Sequence, residues 1–332
     1  MTPCSRRSAL ARLGMSFVPA LSWSGPVSGQ VDAGASPSKA DQPVSIAIVG
    51  DVMLADGPGR VIVAGHDPFA PFAAHLAAAD LRIANLECVV AQGGKAEDKP
   101  WTFRAHPRVL PVLARHVDVV SVANNHAGDY GRQAFAQMLR RLKAVGVPYF
   151  GGGHTLREAH EPLIVARHGL RIALLGYNGF LPRAFEATED HPGIAWIDEQ
   201  HLIEDIRRAR TDHHADLVIP FMHWGQEHEP LASDHQRGLA RRMIDAGADM
   251  VVGTHPHVVQ DTETYRGRPI VYSLGNFVFD GFSHIDNNTG WLLWLQAGRD
   301  GVRRWRVEVA RIDRRGVPHP AGPGPNWERP PP

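Results

Sequence analysis

Short apolar runs that each end in a potential metal ligand constrain the fold of this chain more than any other feature. The runs cover residues 44–49, 81–84, 117–123, 217–222 and 250–253, and each has the length of a strand. The residues that follow them are Asp51; Asn85 and Glu87; Asn124, Asn125 and His126; His223; and His255 and His257. Because ligands collect at the carboxyl ends of strands in open α/β sheets, we expect these side chains to meet at one rim.

The segments between these runs predict helices, with antiparallel strands in the middle and at the end of the chain. Helices are expected over residues 69–79, 107–115, 132–144, 198–210 and 235–245. Residues 163–166 and 171–175 predict a β-hairpin around Gly169, and residues 258–312 contain further strand-like runs. We therefore predict an α/β protein built as a four-layer α/β/β/α sandwich. Two packed sheets with helices outside accommodate this order better than one doubly wound sheet.

The ends of the chain differ in composition from its body. Residues 1–29 predict a twin-arginine-like export signal, with Arg6 and Arg7 before a mildly apolar stretch; a disordered extension of a cytoplasmic protein is the alternative. Residues 30–42 predict a linker, residues 43–313 the folded domain, and residues 314–332 a disordered Pro/Gly-rich tail. The signal predicts an exported protein, periplasmic or associated with the cell envelope.

Composition limits the partners. The 332 residues are 43% hydrophobic, enough for a substantial core, and the 35 basic residues balance 35 acidic ones. This balance gives no electrostatic footprint for nucleic acid. Cleavage of the signal would remove Cys4 and leave Cys88 as the only cysteine, so an intramolecular disulfide is not expected. The 19 histidines are compatible with a metal-binding protein.

The ligand types predict a site for one or two divalent metal ions. Carboxylate and amide oxygens suit hard ions, imidazole suits Zn, Fe or Mn, and the absence of thiolates excludes a zinc–cysteine site. Each residue alone has another explanation: Asp51 as a helix cap, His223 as a core histidine, and His255 and His257 as parts of a turn. Their joint placement at successive strand ends favours the metal site.

Six motifs in a fixed order resemble those of the CapA family of capsule and poly-γ-glutamate biosynthesis proteins, which is related to the calcineurin-like metallophosphoesterases. They are GDVML at 50–54, ANLE at 84–87, SVANNH at 121–126 with DYG at 129–131, HWGQE at 223–227, GTHPH at 253–257 and YSLGNF at 272–277. The resemblance covers residues 45–280. It implies a sandwich of the metallophosphoesterase type.

The resemblance also implies roles for individual residues. Asp51 would be the first carboxylate ligand and Glu87 the bridging one, with Asn125 as an amide ligand and His126 as the general acid. His223 and His255 would complete one metal position and His257 the other. The residues that would orient ligands or contact substrate are Asn85, Asn124, Glu227 and Arg104. The ions would be Mn, Fe, Zn or Mg, and a pair about 3.5–4 Å apart clamps a phosphoryl oxygen.

Met53 departs from the hydrolytic pattern. Where the hydrolytic relatives carry Asp-x-His, this chain has Asp51-Val52-Met53. A thioether is a poor ligand for a hard metal, so one metal position is expected to lose a ligand. Glu227 and Asp56 are the candidates to replace it. Lys99, Arg132 and Arg268 are interpreted as solvated charges.

Three functions are compatible with these residues. The first is a metal-dependent hydrolase of a phosphoester or another anionic envelope substrate. The second is a non-catalytic accessory protein that binds the anionic polymer or its membrane synthase complex. The third is a metal-dependent hydrolase of amide bonds in the polymer, since metal-activated water attacks carbonyls as well.

Overall fold

The computed structural model describes residues 42–329. The predicted export signal and residues 30–41 of the predicted linker lie outside the described residues. The strands, in chain order, are β1 Val44–Val52, β2 Leu81–Leu86, β3 Val89–Val90, β4 Arg104–Ala105, β5 Val119–Ser121, β6 Tyr149–Phe150, β7 Gly152–Gly153, β8 Leu163–Arg167, β9 Leu170–Asn178, β10 Gly193–Ile194, β11 Leu217–His223, β12 Val251–Thr254, β13 Thr262–Tyr265, β14 Arg268–Val271, β15 Asn276–Val278, β16 Thr289–Gly298, β17 Gly301–Ile312 and β18 Pro318–Glu328.

Seven α-helices alternate with these strands in the described part of the chain. They are α1 Asp56–Val63, α2 Ala73–Ala77, α3 Leu110–His116, α4 Gly131–Ala144, α5 Leu156–His160, α6 Glu199–Thr211 and α7 Asp234–Ala246, with 3₁₀ turns at Ala70–Phe72, Pro107–Val109 and Arg183–Phe185. Helix α6 begins after Asp198, whose side chain accepts from the backbone N–H of His201. Helix α7 has a Ser233/Gln236 capping box and ends at Gly247.

The strands form two large sheets. The first has the order β18-β17-β16-β1-β2-β5-β6, with β15 also pairing β1, and the second has the order β13-β14-β12-β11-β9-β8. In both, the central pairs are parallel: β1 with β2 and β15, and β11 with β9 and β12. The predicted hairpin is β8–β9, whose turn residues His168 and Gly169 both have positive φ. Parallel pairing brings the carboxyl ends of the central strands to one rim.

Alternating side chains in the strands divide the core into layers. Ile46 and Ile48 of β1 pack with Ile172 of β9 and Ile219 of β11, between the two sheets. Ala47 and Val49 of β1 face a second cluster that contains residues of α2, α3 and α4. A third cluster joins the opposite face of the second sheet to α6 and α7. The order of layers is helix, sheet, sheet, helix, so the predicted four-layer α/β/β/α sandwich is confirmed.

The Pro/Gly-rich tail is a strand, and the prediction of a disordered segment over residues 314–332 is wrong for most of it. Pro318–Glu328 pairs antiparallel with β17, with Trp327 opposite Trp305. Strand β18 lies at the edge of the first sheet, where one side of the backbone needs no partner. Proline lacks an N–H and is tolerated at such an edge. A high proline content therefore does not by itself indicate disorder in this segment.

Between residues 42 and 329, no helix combines the length and the apolar composition needed to cross a bilayer.

Candidate metal centre

The register of the parallel strands brings the predicted ligands together. In the first sheet, Asp51 at the end of β1 lies opposite Asn85 of β2 on one side and Asn276 of β15 on the other. In the second sheet, His223 at the end of β11 lies opposite Thr254 of β12. These strand ends are apolar up to the last residues, so the polar side chains that follow are buried where the two sheets meet. All of them are at most 1% exposed.

Two buried carboxylates form the floor of the site. Asp51 Oδ1 accepts from Asn85 Nδ2 at 2.8 Å, and Oδ2 accepts from the backbone N–H of His255 at 3.3 Å. Burial raises the pKa of Asp51, although His257, Asn85 and the His255 N–H lower it. Glu87 is fully buried, and neither of its oxygens has a hydrogen-bond partner among the described residues. Burial, followed by the charge of Asp51, holds the pKa of Glu87 well above its ordinary value.

Three buried histidines converge on Glu87. His223 Nε2 lies 3.5 Å from Glu87 Oε1 and His257 Nε2 lies 3.8 Å from the same oxygen. His255 Nδ1 lies 3.1 Å from His223 Nε2, and His255 Nε2 is buried without a partner in the described chain. Burial, and then the neighbouring histidines, hold the pKa values of His223 and His255 well below the ordinary value. Both rings are therefore neutral near pH 7, which is the form that binds metal.

The backbone at two of these histidines is strained. His255 has φ of 97° and His257 has φ of 55°. Side chains other than glycine rarely adopt this left-handed region, and such strain persists where the surrounding structure holds it, commonly at functional sites. The strained loop places both imidazoles on the same side as Glu87.

The ligand atoms form two groups that share one residue. Glu87, His223 and His255 each offer an atom within 4.8 Å of the others, and so do Asp51, Glu87 and His257. Glu87 belongs to both groups. The donor set of two carboxylates and three imidazoles suits a divalent ion such as Mn, Fe or Zn. The unpartnered Glu87 oxygens and His255 Nε2 also favour a divalent ion at this position, because buried polar atoms in native proteins are almost always satisfied.

Amide side chains hold the ligands in place. Asn125 Oδ1 lies 2.8 Å from His223 Nε2, so this amide reaches the same point as Glu87 and His255. Asn124 Nδ2 donates to Asn85 Oδ1 at 3.0 Å and to the Leu86 carbonyl at 2.9 Å. Asn124 and Asn85 therefore form a chain that ends at Asp51 and fixes the orientation of its carboxylate.

His126 stands beside the ligands with one nitrogen committed. Its Nδ1 lies 2.8 Å from Asp129 Oδ2, and because a carboxylate only accepts, Nδ1 carries the proton and leaves Nε2 for a substrate. Asp129 also forms an ion pair with Lys99. Burial lowers the pKa of His126, although Asp129 raises it. Phe103 packs on the ring at 4.4 Å between centroids.

The remaining predicted residues lie outside the two ligand groups. Glu227 and Asp56 line a cavity beside His126 and His257 and offer no atom to either group. Arg104 is exposed; its guanidinium donates to the carbonyls of Gly93 and Gly94 and stacks on Tyr130 at 4.3 Å. These contacts give Arg104 a structural role, because they direct its charge to a surface loop.

Met53 packs in the core. Its side chain is 1% exposed in the cluster between the first sheet and the helices, and its sulfur accepts from the backbone N–H of Ala55 at 3.2 Å. Each of the two ligand groups contains three histidine or carboxylate residues besides it.

Three residues that contact the site histidines are not predicted from the sequence. Asn276 Oδ1 lies 2.8 Å from His257 Nδ1, Thr254 Oγ1 lies 3.1 Å from His223 Nδ1, and Asp129 holds His126. Thr254 and Asn276 each contact one ring nitrogen of a site histidine, and Asp129 orients His126 through Nδ1; His257 Nδ1 also lies 3.6 Å from Asp51 Oδ2. All three stand inside the recognised motifs, and this was the only signal that could have identified them.

Two cavities flank the site. One, of about 390 Å³, is lined by Lys99, Asn125, Asn178, Phe180 and Trp196 among others. The other, of about 340 Å³, is lined by aromatic side chains, three carboxylates, His126, His228 and His257. His126 and His257 on one side and Asn125 on the other connect both cavities to the ligand cluster. The two cavities therefore meet the edge of the ligand cluster at Asn125 and at His257.

Known proteins share this sequence pattern. Residues 45–281 match the family model described as Bacterial capsule synthesis protein PGA_cap. The chain is 33% identical over 292 residues to the PGA biosynthesis protein CapA of Bacillus subtilis, covering 86% of this chain and 74% of that one. It is 31% identical over 215 residues to a Mycobacterium tuberculosis protein named "Probable polyglutamine synthesis accessory protein", covering 61% of this chain and 56% of the relative.

A solved structure, the sulfate thiohydrolase SoxB of Thermus thermophilus in complex with glycerol, aligns with a TM-score of 0.47 at 13% identity, over 80% of this chain and 56% of that one. The family match covers most of the folded domain and includes every ligand described above. The resemblance to CapA is confirmed, and the chain belongs to the bacterial capsule synthesis protein family PGA_cap.

Proposed function

We propose that this protein is a metal-dependent hydrolase that acts on a phosphoester or another anionic substrate in capsule or poly-γ-glutamate biosynthesis. The observation that carries the proposal is the pair of buried ligand groups that share Glu87, whose oxygens have no partner among the described residues. A purely structural buried carboxylate would be neutralised by the protein's own donors.

The residues fit one or two divalent ions. Glu87, His223 and His255, with Asn125, would hold one, and Asp51, Glu87 and His257 would hold the other. Bound divalent ions supply Lewis acidity at an oxygen of the substrate and lower the pKa of water. Hydrolysis of a phosphoester breaks the bond from phosphorus to the leaving oxygen, adds the oxygen of water to phosphorus and delivers a proton to the leaving oxygen.

His126 is placed to deliver that proton. Asp129 holds its Nδ1, so Nε2 is the nitrogen available to the leaving oxygen. Burial lowers the pKa of the ring in the resting protein, and an anionic substrate beside it favours the protonated form. Asp129 keeps the charged ring oriented, as general-acid transfer requires.

Turnover and metal content test this proposal together. The chain without residues 1–29, purified without chelator, is analysed for metals and incubated with a panel of phosphomonoesters and phosphodiesters plus Mn²⁺. We expect at least one stoichiometric divalent ion and hydrolysis that His223→Ala abolishes together with the metal. His126→Ala should keep the metal and slow poor leaving groups most. Protein without metal, or metal-loaded protein without turnover on any ester, would count against the hydrolase.

An accessory role is the second candidate, and the mycobacterial relative, which is named as a probable synthesis accessory protein, favours it. In that case the ligand cluster would bind the anionic polymer or contact a membrane synthase complex without turnover. Poly-γ-glutamate binding without shortening of the chains would support the accessory role. Shortening of the polymer would instead support the third candidate, an amide hydrolase.

We also propose export to the periplasm or cell envelope, on the basis of the twin arginines at Arg6 and Arg7. Replacing both with lysine should retain the full-length chain in the cytoplasm. Fractionation of cells that express each form measures this. Identical distributions of the wild type and the double variant would contradict the twin-arginine assignment.

A further inference from the structure

The cavity on the His126 side of the ligand cluster has an unusual lining for a protein expected to handle anions. Its volume is about 340 Å³, and its walls come from separate loops that contain Trp101, Phe103, Glu227 and the 279–282 segment. The loops belong to distant parts of the chain, and only the fold brings them together.

Aromatic rings form one continuous wall. Phe103 meets Phe279 edge to face at 5.7 Å, and Phe279 meets Phe282 at 5.6 Å between ring centroids. His257 packs against Phe279 at 5.0 Å, which joins the wall to the ligand cluster. Trp101 is 72% exposed and lies at the mouth, where a large indole is left without protein cover. An exposed tryptophan at a cavity that other ring faces also line is a surface suited to cation–π contact.

The charges of the cavity are negative. Asp56, Glu227 and Asp280 line it together with three histidines, His126, His228 and His257, and no lysine or arginine of residues 42–329 does. Asp280 is partly compensated, since it accepts from the Gly57 N–H at 2.8 Å and lies 3.5 Å from Arg60. Asp56 and Glu227 have no ion-pair partner within residues 42–329. Asp56 and Glu227 repel an anionic group, whereas an organic cation finds both carboxylates and ring faces.

His126 gives the cavity a direction. The side chain is 8% exposed, its Nδ1 is held by Asp129, and its Nε2 has no hydrogen-bond partner among the described residues. If His126 serves the leaving oxygen through Nε2, as the proposed function requires, the leaving group of a substrate bound at the ligand cluster would enter this cavity.

We propose that this cavity binds an organic ammonium group on the leaving side of the substrate. Resting on the proposed function, this makes the substrate zwitterionic: an anionic group at the ligand cluster and a primary or quaternary ammonium against Trp101 and the two unpaired carboxylates. Trp101 and Glu227 then determine specificity for the charge of the leaving group.

Choline and its neutral isostere 3,3-dimethyl-1-butanol test the inference by binding alone. Calorimetric titration of the metal-loaded protein should show choline binding about tenfold more tightly than the isostere, as expected for a partly desolvated ammonium on aromatic rings. Trp101→Ala should weaken choline by about two- to fivefold and leave the isostere less affected. Glu227→Gln should weaken choline only. Trp101 is exposed, so its removal does not threaten the fold.

Matched controls are Leu231→Ala, which removes an exposed apolar side chain outside the cavity, and Asp212→Asn, which removes an exposed charge. Neither should change choline binding. Equal binding of choline and the isostere, or a preference that survives both cavity variants, would overturn the inference and favour an apolar leaving group instead.

The esters of the same two alcohols separate this inference from the hydrolase. Choline phosphate should be hydrolysed about tenfold more efficiently than 3,3-dimethylbutyl phosphate, in kcat/KM. If choline binds selectively and neither ester is hydrolysed, the ammonium site stands and the hydrolase fails. If both esters are hydrolysed equally and choline shows no preference, the hydrolase stands and the ammonium site fails.

Discussion

Two buried carboxylates near opposite ends of strand β12 have contrasting surroundings. Asp249, two residues before the strand, is 2% exposed and accepts from Arg210, Arg268 and the backbone N–H of Val218. Glu87 is fully buried beside His255, the residue directly after the same strand, and accepts from none of the described residues. Both have lost their water; Asp249 has received arginine and backbone donors in return, whereas the polar neighbours of Glu87 are Asp51 and the imidazoles of His223 and His257.

The difference separates a carboxylate that holds the fold from one reserved for a ligand. A buried charge without compensation is costly, so it persists only when a proton or a cation neutralises it. The raised pKa of Glu87 describes the first state, with burial and the Asp51 charge as its causes. The two ligand groups that share Glu87 describe the second state, in which a cation neutralises the charge.

Removing Asp249 should have the largest effect on stability. Asp249→Ala leaves two guanidinium groups without their carboxylate, and breaking a buried ion pair costs about 3–5 kcal/mol. Because the arginine side chains are 31% and 32% exposed, we expect the lower end, about 3 kcal/mol, in urea unfolding. Metal content should stay the same. The exposed Asp212→Ala is the control, and equal stability of the two variants would remove Asp249 from its structural role.

Glu87→Gln should have the opposite signature. The amide keeps the shape and removes the charge, so metal affinity should fall by more than about 100-fold, beyond the loss typical of residues that only orient ligands. Added Mn²⁺ should raise the melting temperature of the wild type and not that of the variant.

The stability of the metal-free wild type and of metal-free Glu87→Gln should depend on pH in different ways. The folded pKa of Glu87 is raised, so its contribution to stability is fully present below the ordinary glutamate pKa and is lost as pH rises through the folded pKa. Metal-free Glu87→Gln should therefore be more stable than the metal-free wild type at pH 8, with a gap that narrows towards pH 5. Thermal melts across this range measure the gap, and a gap that widens on acidification would contradict the assignment.

The sequence predicted which residues meet at the rim better than it predicted their neighbours. Asp51, Glu87 and His223 each stand at or just past the end of a largely apolar strand, and the rule that parallel strands end at a common rim was sufficient to bring them together. The four layers could also be predicted, because the order of strands and helices is visible in the local sequence pattern.

Partnerships between distant residues were beyond this reasoning. Lys99 and Arg268 were interpreted as solvated charges, and both instead pair with buried aspartates, Asp129 and Asp249. Nothing in the local pattern distinguishes such an arginine or lysine from a surface one, because the distinction depends on long-range contacts. The prediction for the tail was wrong for a similar reason. Its prolines forbid a central strand, and only the pairing with β17 shows that the tail lies at the edge of the first sheet.

The smallest effect should come from Asn276, which is neither a ligand nor a countercharge. Its Nδ2 donates to the Asn287 carbonyl at 2.9 Å, so its Oδ1 accepts from His257 Nδ1, which also lies 3.6 Å from Asp51 Oδ2. Nε2 is then the nitrogen without a proton, 3.8 Å from Glu87 Oε1. Loss of such an orienting partner typically weakens a metal by about 10- to 100-fold, and we expect about tenfold for Asn276→Ala. Asn276→Asp keeps the acceptor and should recover most of the affinity.

The matched control for this change is Asn288→Ala. Asn288 donates to the Phe282 and His284 carbonyls in the same region and has no bond to His257. Competition with a chromogenic chelator measures all three affinities. If Asn276→Ala and Asn288→Ala weaken the metal equally, the loss comes from the loop and not from the imidazole. If only Asn276→Ala weakens metal binding and Asn276→Asp restores it, the unpartnered carboxylate of Glu87 alone does not make the site. The imidazoles around Glu87 must then also be held in orientation, as Asn276 of β15 holds His257.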